Sequence, residues 1–275
     1  MIRRAIVAGA FYEGERGRLE KQLKECFEGI TREQNENVLG AVVPHAGYLY
    51  SGRVSGAVYS RITIPETFII IGPNHYGLGK KFAVMKEGIW RTPIGDVKID
   101  SILAKEILSN SKFLEEDCTA HSREHSIELQ LPFLQYLSKD FQFVPIVTIG
   151  HETRICEDIG NSIAKSIQKI NKEVMIIASS DLTLYEPEDI ANRKDKEILS
   201  AIFELNGKEL IRKAKELNLA PLGGQYGHSF IPAAIMLIAC KALGAKEVEL
   251  VRYMTSGDVI KDYTTVVSYA GILVK

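Results

Sequence analysis

Val42-Val43-Pro44-His45-Ala46-Gly47-Tyr48 is a short apolar run that stops at a proline and at once presents a histidine. Ile69-Ile70-Ile71-Gly72-Pro73-Asn74-His75 repeats the arrangement with a Gly-Pro stop. In an open α/β sheet, ligands collect at the carboxyl ends of strands, where loops and helix N-termini converge. Two strand-end histidines on neighbouring strands therefore predict one shared site for a metal ion or a substrate.

The chain around these two runs keeps the same alternation. Leu19, Leu23, Cys26, Phe27 and Ile30 fall at helical spacing before the first run, and Ser51 is a plausible N-cap for a helix after His45. Phe82 to Met85 reads as a strand, and Trp90-Arg91-Thr92-Pro93-Ile94-Gly95-Asp96 as a hairpin that brings its aromatic towards the surface. A helix around Ile102 to Leu108, a strand from Phe143 to Ile149 and an isoleucine stripe at 155, 159, 163, 167 and 170 follow. Val174 to Ala178 is another buried strand, ending in Ser179-Ser180-Asp181. Three helical stretches (Asp189 to Leu205, Lys208 to Leu217, Phe230 to Leu243) then precede strands at Glu247 to Met254 and Thr264 to Val274. No repeat, low-complexity tract or linker interrupts the 275 residues. The expectation is one α/β domain over residues 1–275, a three-layer αβα sandwich around a mixed, largely parallel sheet.

Composition narrows the function. With 34 basic against 35 acidic residues and a net charge of −1, no basic excess marks a nucleic-acid partner. No apolar run approaches the roughly 20 residues that span a bilayer. Met1-Ile2-Arg3-Arg4-Ala5-Ile6 is basic but has no apolar core behind it, so no signal peptide is expected and the cytoplasm is the expected location. Cys26, Cys118, Cys156 and Cys240 are scattered, which argues against a cysteine zinc module or a disulfide framework.

The chemistry is expected at four strand ends: Pro44-His45, Asn74-His75, Ser180-Asp181 and Ser256-Gly257-Asp258. Each taken alone has an ordinary use as a cap or turn residue. Their repetition at one kind of place favours a common site. His121-Ser122-Arg123-Glu124-His125 also matches the H-x-x-E-H pattern of inverzincin zinc proteases, which on a helix would put both imidazoles on one face. Pro132 limits such a helix, and no downstream glutamate-bearing helix offers a third ligand. His151, at the Gly150-His151-Glu152 turn, reads as an exposed loop histidine or a helix start. No P-loop, G-x-G-x-x-G or G-x-S-x-G pattern is present.

Pro44 to Gly52, Gly72-Pro73-Asn74-His75, Glu124 to Phe133, Ser179-Ser180-Asp181-Leu182 and Thr255-Ser256-Gly257-Asp258 together resemble the Memo-like family, nearly end to end and in order. The resemblance implies a fold similar to class III extradiol dioxygenases, with a non-haem metal pocket at the strand ends. It implies metal ligation by His45 and His75, and a third ligand where the family pattern has a cysteine and this chain has His228. A three-histidine site suits zinc, iron or copper. A second departure is Leu184, at the place where the dioxygenases keep a histidine acid/base; leucine cannot move a proton, which leaves Asp181, His125 or Tyr185 for that task. The resemblance also implies a radical-SAM companion protein. The leading expectation is thus a metal site of His45, His75 and His228 lined by Asp181 and His125, acting on a small molecule or peptide ligand. A scaffold protein keeping the pocket without its chemistry is the alternative from another class.

Overall fold

A strand sandwiched between two helical layers must be apolar on both faces, and every residue of Gly40–Val43 and of Thr67–Pro73 is buried. The structure, a computed structural model, describes residues 1–30, 38–219 and 230–275. In chain order its first half runs β1 (Ile2–Arg4), α1 (Arg16–Cys26), β2 (Gly40–Val43), α2 (Tyr48–Tyr59), β3 (Thr67–Pro73), β4 (Phe82–Val84), β5 (Ile89–Arg91), β6 (Asp96–Ile99), α3 (Ser101–Asn110) and β7 (Glu115–Glu116). The second half runs α4 (Leu131–Leu137), β8 (Gln142–Thr148), α5 (Thr153–Lys169), β9 (Val174–Ser179), β10 (Leu184–Glu186), α6 (Glu188–Phe203), α7 (Gly207–Glu216), α8 (Phe230–Ala242), β11 (Val248–Thr255), α9 (Ser256–Ile260) and β12 (Val266–Val274).

Among the described residues these strands form one sheet in the order β1-β5-β6-β8-β3-β9-β2-β12-β10, with β11 on β12 and β4 bridging β8 and β7. The centre, β8-β3-β9-β2, is parallel, and antiparallel β12 closes one side of it. Helix α8 packs on β2, β3 and β9 and against α5, while α1, α2 and α4 pack together around α2, which lies on β2 and β12. The result is the mixed α/β sheet between helical layers that the strand–helix alternation predicts. Among the described residues no helix is long and apolar enough to cross a membrane.

Register explains why the strand ends meet. Val43 lies opposite Ser179 and Ile71 opposite Ala178. Two residues beyond Val43, Ser179 and Pro73 stand His45, Asp181 and His75, all at one rim of the sheet.

Two local expectations are corrected. Ser51 lies inside α2, which begins at Tyr48 behind Gly47; its hydroxyl donates back to the Ala46 carbonyl at 2.8 Å instead of capping the helix. Trp90 does not approach the surface. It is the middle residue of β5, between β1 and β6, and is 1% exposed with the Arg3 guanidinium 4.1 Å from its ring centre. The Gly52-Arg53-Val54-Ser55-Gly56 stretch is helix interior, where a Cβ on Gly56 would collide with the Cys26 carbonyl of α1. That glycine sets how closely α1 and α2 approach.

Candidate functional site

His45 is buried against Ser179, and its Nδ1 lies 3.2 Å from the Ser179 hydroxyl. That hydroxyl has one proton, which it donates to the Ser126 carbonyl at 2.8 Å, and it accepts from Gln130 Nε2 at 2.8 Å. Only an acceptor lone pair is left for His45, so Nδ1 carries the proton and Nε2 keeps its lone pair. Burial first, then the neighbouring His75, pushes the His45 imidazole down to about 3, so it is neutral at physiological pH.

His75 is set the same way by a carboxylate. Glu124 accepts from the His75 backbone N–H at 2.7 Å, from His75 Nδ1 at 2.9 Å and from the backbone N–H groups of His125 and Ser126 at 2.9 and 2.8 Å. Burial alone would raise this acid, but the His75 hydrogen bond, the charges of His75 and His125 and the backbone donors hold it down to about 2. An ionised carboxylate only accepts, so His75 Nδ1 donates to it, and Nε2 is the ring nitrogen that Glu124 does not hold.

Asp181 stands beside both. Its Oδ1 accepts from the His45 N–H at 2.9 Å and its Oδ2 lies 3.6 Å from His45 Nε2. Burial raises its pKa to about 6, against the backbone donors of His45 and Ala46. A lone pair and a carboxylate oxygen thus face each other with no donor fixed between them, a pairing relieved by a cation or a shared proton. His125 completes the group: its ring stacks on His75 with centroids 4.6 Å apart, and lies 6.0 Å from His45. Its Nδ1 is buried without a hydrogen-bond partner, and burial moves it down to about 4. His75, Glu124 and His125 each offer a ligand atom within 4.8 Å of the others. Because Glu124 already accepts four N–H groups, its role is to orient His75 while the imidazoles remain open.

His45, His75, His125 and Asp181 line a cavity of about 840 Å³ together with Leu184, Phe11 and several tyrosines. A family model described as Memo-like protein matches residues 3–273, and similarity to curated proteins runs the whole length. The chain belongs to the Memo-like family. It is 41% identical over 275 residues to a MEMO1 family protein of Methanococcoides burtonii, covering all of both chains. It is 39% identical over 285 residues to a MEMO1 family protein of Methanopyrus kandleri, covering 99% of each. The crystal structure of an uncharacterized protein from Escherichia coli K12 is similar in fold, with a TM-score of 0.58 at 12% identity over 86% of this chain and 99% of that one.

Of the residues expected at the site of this Memo-like chain, His45, His75, His125, Asp181 and Leu184 share the cavity. His228 lies outside the described residues. His121 is elsewhere. The H-x-x-E-H segment is no helix, but a short 3-10 turn over Thr119–His121 followed by irregular chain. His121 is fully buried with Nδ1 2.9 Å from the Asp117 carbonyl and Nε2 3.2 Å from that of Pro145, so the neutral ring donates to one of two core carbonyls and both nitrogens are turned away from the cavity. The zinc-protease arrangement of His121 with His125 is therefore not formed. His151 is exposed on its turn, and Asp258 serves the capping box with Thr255 that starts α9, while Ser256 beside it faces the cavity. Ser179 and Glu124, which fix the two imidazoles, carry no such part in the sequence reading; Ser179 is visible there as the first residue of a strand end, and Glu124 as part of a zinc motif and as the head of a segment that carries the resemblance.

Proposed function

We propose that this Memo-like chain binds a divalent ion, zinc, iron or copper, through Nε2 of His45 and Nε2 of His75, and acts there on a small molecule or peptide ligand. One observation carries the reading: Ser179 and Glu124 each accept from an Nδ1, which leaves Nε2 of both cavity-lining histidines to other partners. Neutral imidazoles held by a partner on the other nitrogen are what a first-row metal requires of its histidines. The third ligand comes from His228, as the resemblance implies, or from His125 or Asp181, which stand against the pair. A bound ion would supply Lewis-acid or redox chemistry. The chain's own contribution is to orient two imidazoles, to hold a proton at Asp181 Oδ2 beside His45, and to keep water off through Phe11 and Leu184. The wider expectations, a cytoplasmic protein with a radical-SAM companion, go with this reading.

Leu184, which lines the cavity, favours a second reading, a binding protein that retains the pocket without proton transfer, because the resemblance sets the dioxygenase acid/base at this position. Metal analysis of the purified chain decides first. About one divalent ion per chain is expected, lost in His45→Ala and in His75→Ala. Metal at background in the unmodified protein, or unchanged content in both variants, defeats the metal site. A ligand that binds equally well to both variants supports the second reading.

A further inference from the structure

The cavity has a second half that the imidazoles do not explain. Leu184 of β10 pairs with Val267 of β12, and Tyr269, two residues along, points to the same face; all three line the cavity. Tyr269 is 2% exposed as a residue, and its hydroxyl, which is bonded to no described residue, keeps its access to the cavity. A hydroxyl that opens into a cavity and is used by no neighbour is a donor free for a ligand that displaces water from it. Burial first, then Asp181, Tyr50 and Tyr185, raises the Tyr269 phenol above its ordinary range; the three phenols and the acid are therefore neighbours, and this phenol is a neutral donor at physiological pH. Tyr185 is held at φ 58 within an irregular β-pairing, a left-handed backbone that a bulky residue rarely adopts. Its ring is largely exposed at the cavity wall.

The charge of the wall is as informative as its shape. Among the described lining residues there is no lysine and no arginine, and the one acid is Asp181. An anionic group lodged against this half would be desolvated without a compensating cation, which costs several kcal/mol. Leu184, Ile260 and Val267 supply apolar surface beside the phenols. The volume suits a small organic molecule.

We propose that Tyr269, flanked by Tyr50 and Tyr185, is a ligand-contacting residue that donates a hydrogen bond to the oxygen of an uncharged, carbonyl- or hydroxyl-bearing small molecule. Its apolar body packs on Leu184, Ile260 and Val267, and carboxylates and phosphates are rejected by this half of the pocket. The assignment rests on reading the cavity as the ligand site, and it is independent of whether His45 and His75 hold a metal.

The test uses benzamide and benzoate, a neutral and an anionic probe of one shape, titrated by saturation-transfer NMR into the full-length protein with and without added zinc. In the zinc-free sample benzamide binds about tenfold more tightly than benzoate, and Tyr269→Phe weakens benzamide about five- to tenfold. Since the hydroxyl ties nothing down, Tyr269→Phe leaves the melting temperature unchanged or higher. Equal binding of the two probes, no saturable benzamide binding, benzamide binding untouched by Tyr269→Phe, or a fall in its melting temperature each overturn the proposal. Failure of zinc to bind tells against the imidazole site alone and leaves the zinc-free comparison intact.

Discussion

A neutral imidazole has one N–H, so whichever neighbour takes that proton decides which nitrogen faces the cavity. For His75 the neighbour is Glu124, whose two oxygens also hold the backbone of His125 and Ser126. Glu124→Gln keeps the shape but replaces one acceptor oxygen with a donor, so at least one of the four N–H groups loses its partner. Zinc affinity is expected to fall about 10- to 100-fold, the usual cost of losing a carboxylate behind a metal-binding histidine. Competition against a chromophoric chelator measures it, and a change below about twofold would remove Glu124 from this role. The strand-end residues His45, His75 and Asp181 were legible because an apolar run that halts at Pro or Ser leaves its next polar side chain at the sheet rim. Glu124 was legible as the head of a segment that carries the family resemblance, but not in its part: spacing along H-x-x-E-H pairs it with His121, whereas the chain turns through a 3-10 segment and delivers it to His75, 49 residues away. Tyr269 gave no signal at all, since it sits within the apolar run of β12 and nothing in that run tells a cavity face from a core face.

At the scale of elements, the N-terminal segment is a strap over the loop that carries Glu124. Arg3 forms an ion pair with Glu128, donates to the Glu124 carbonyl at 2.5 Å and lies over Trp90. Glu128 in turn accepts from the N–H groups of Ile6 and Val7 and from the Tyr12 hydroxyl at 2.7 Å. The strap ends at Phe11, whose carbonyl receives the Tyr48 N–H at the start of α2 and whose ring abuts His125 at 5.0 Å. Both partners of the ion pair are buried, and removing one charge strands the other in the interior. Glu128→Gln is expected to cost about 3–5 kcal/mol in urea unfolding. A loss below about 1 kcal/mol would mean that the strap is held by packing alone. The apolar stripe of α5 and the continuous apolar runs of the central strands could be read directly, because α5 buries one face and the strands are buried on both. Trp90 could not, because its burial depends on β1 and β6 closing over β5 from distant parts of the chain.

For the whole molecule, gathering imidazoles inside a fold that keeps them neutral sets its response to acid. His45 is pushed down to about 3, and His121 and His125 to about 4, in each case chiefly by burial. All three lie below the ordinary 6.5, so as pH falls below that value the unfolded chain takes up protons that the folded chain refuses. Asp181 acts in the opposite sense: raised from 3.8 to about 6, it takes its proton in the folded state first, so acidification over that window favours the fold. Three groups outweigh one. Near pH 5 unfolding is accompanied by net uptake of roughly two protons, and stability falls by about 2–3 kcal/mol per pH unit between about pH 6 and pH 4.5. Below that, Glu124 adds to the loss, because its carboxyl is held down to about 2 and must be protonated on unfolding. Urea unfolding of the chelator-treated protein at pH 7, 6 and 5 measures the slope, and His121→Gln, which removes one titrating core imidazole away from the cavity, should flatten it by about one proton. Stability that is constant or rises from pH 6 to pH 5 would show that these imidazoles are charged in the folded chain, and with that the neutral, lone-pair-bearing His45 would be lost as a metal ligand.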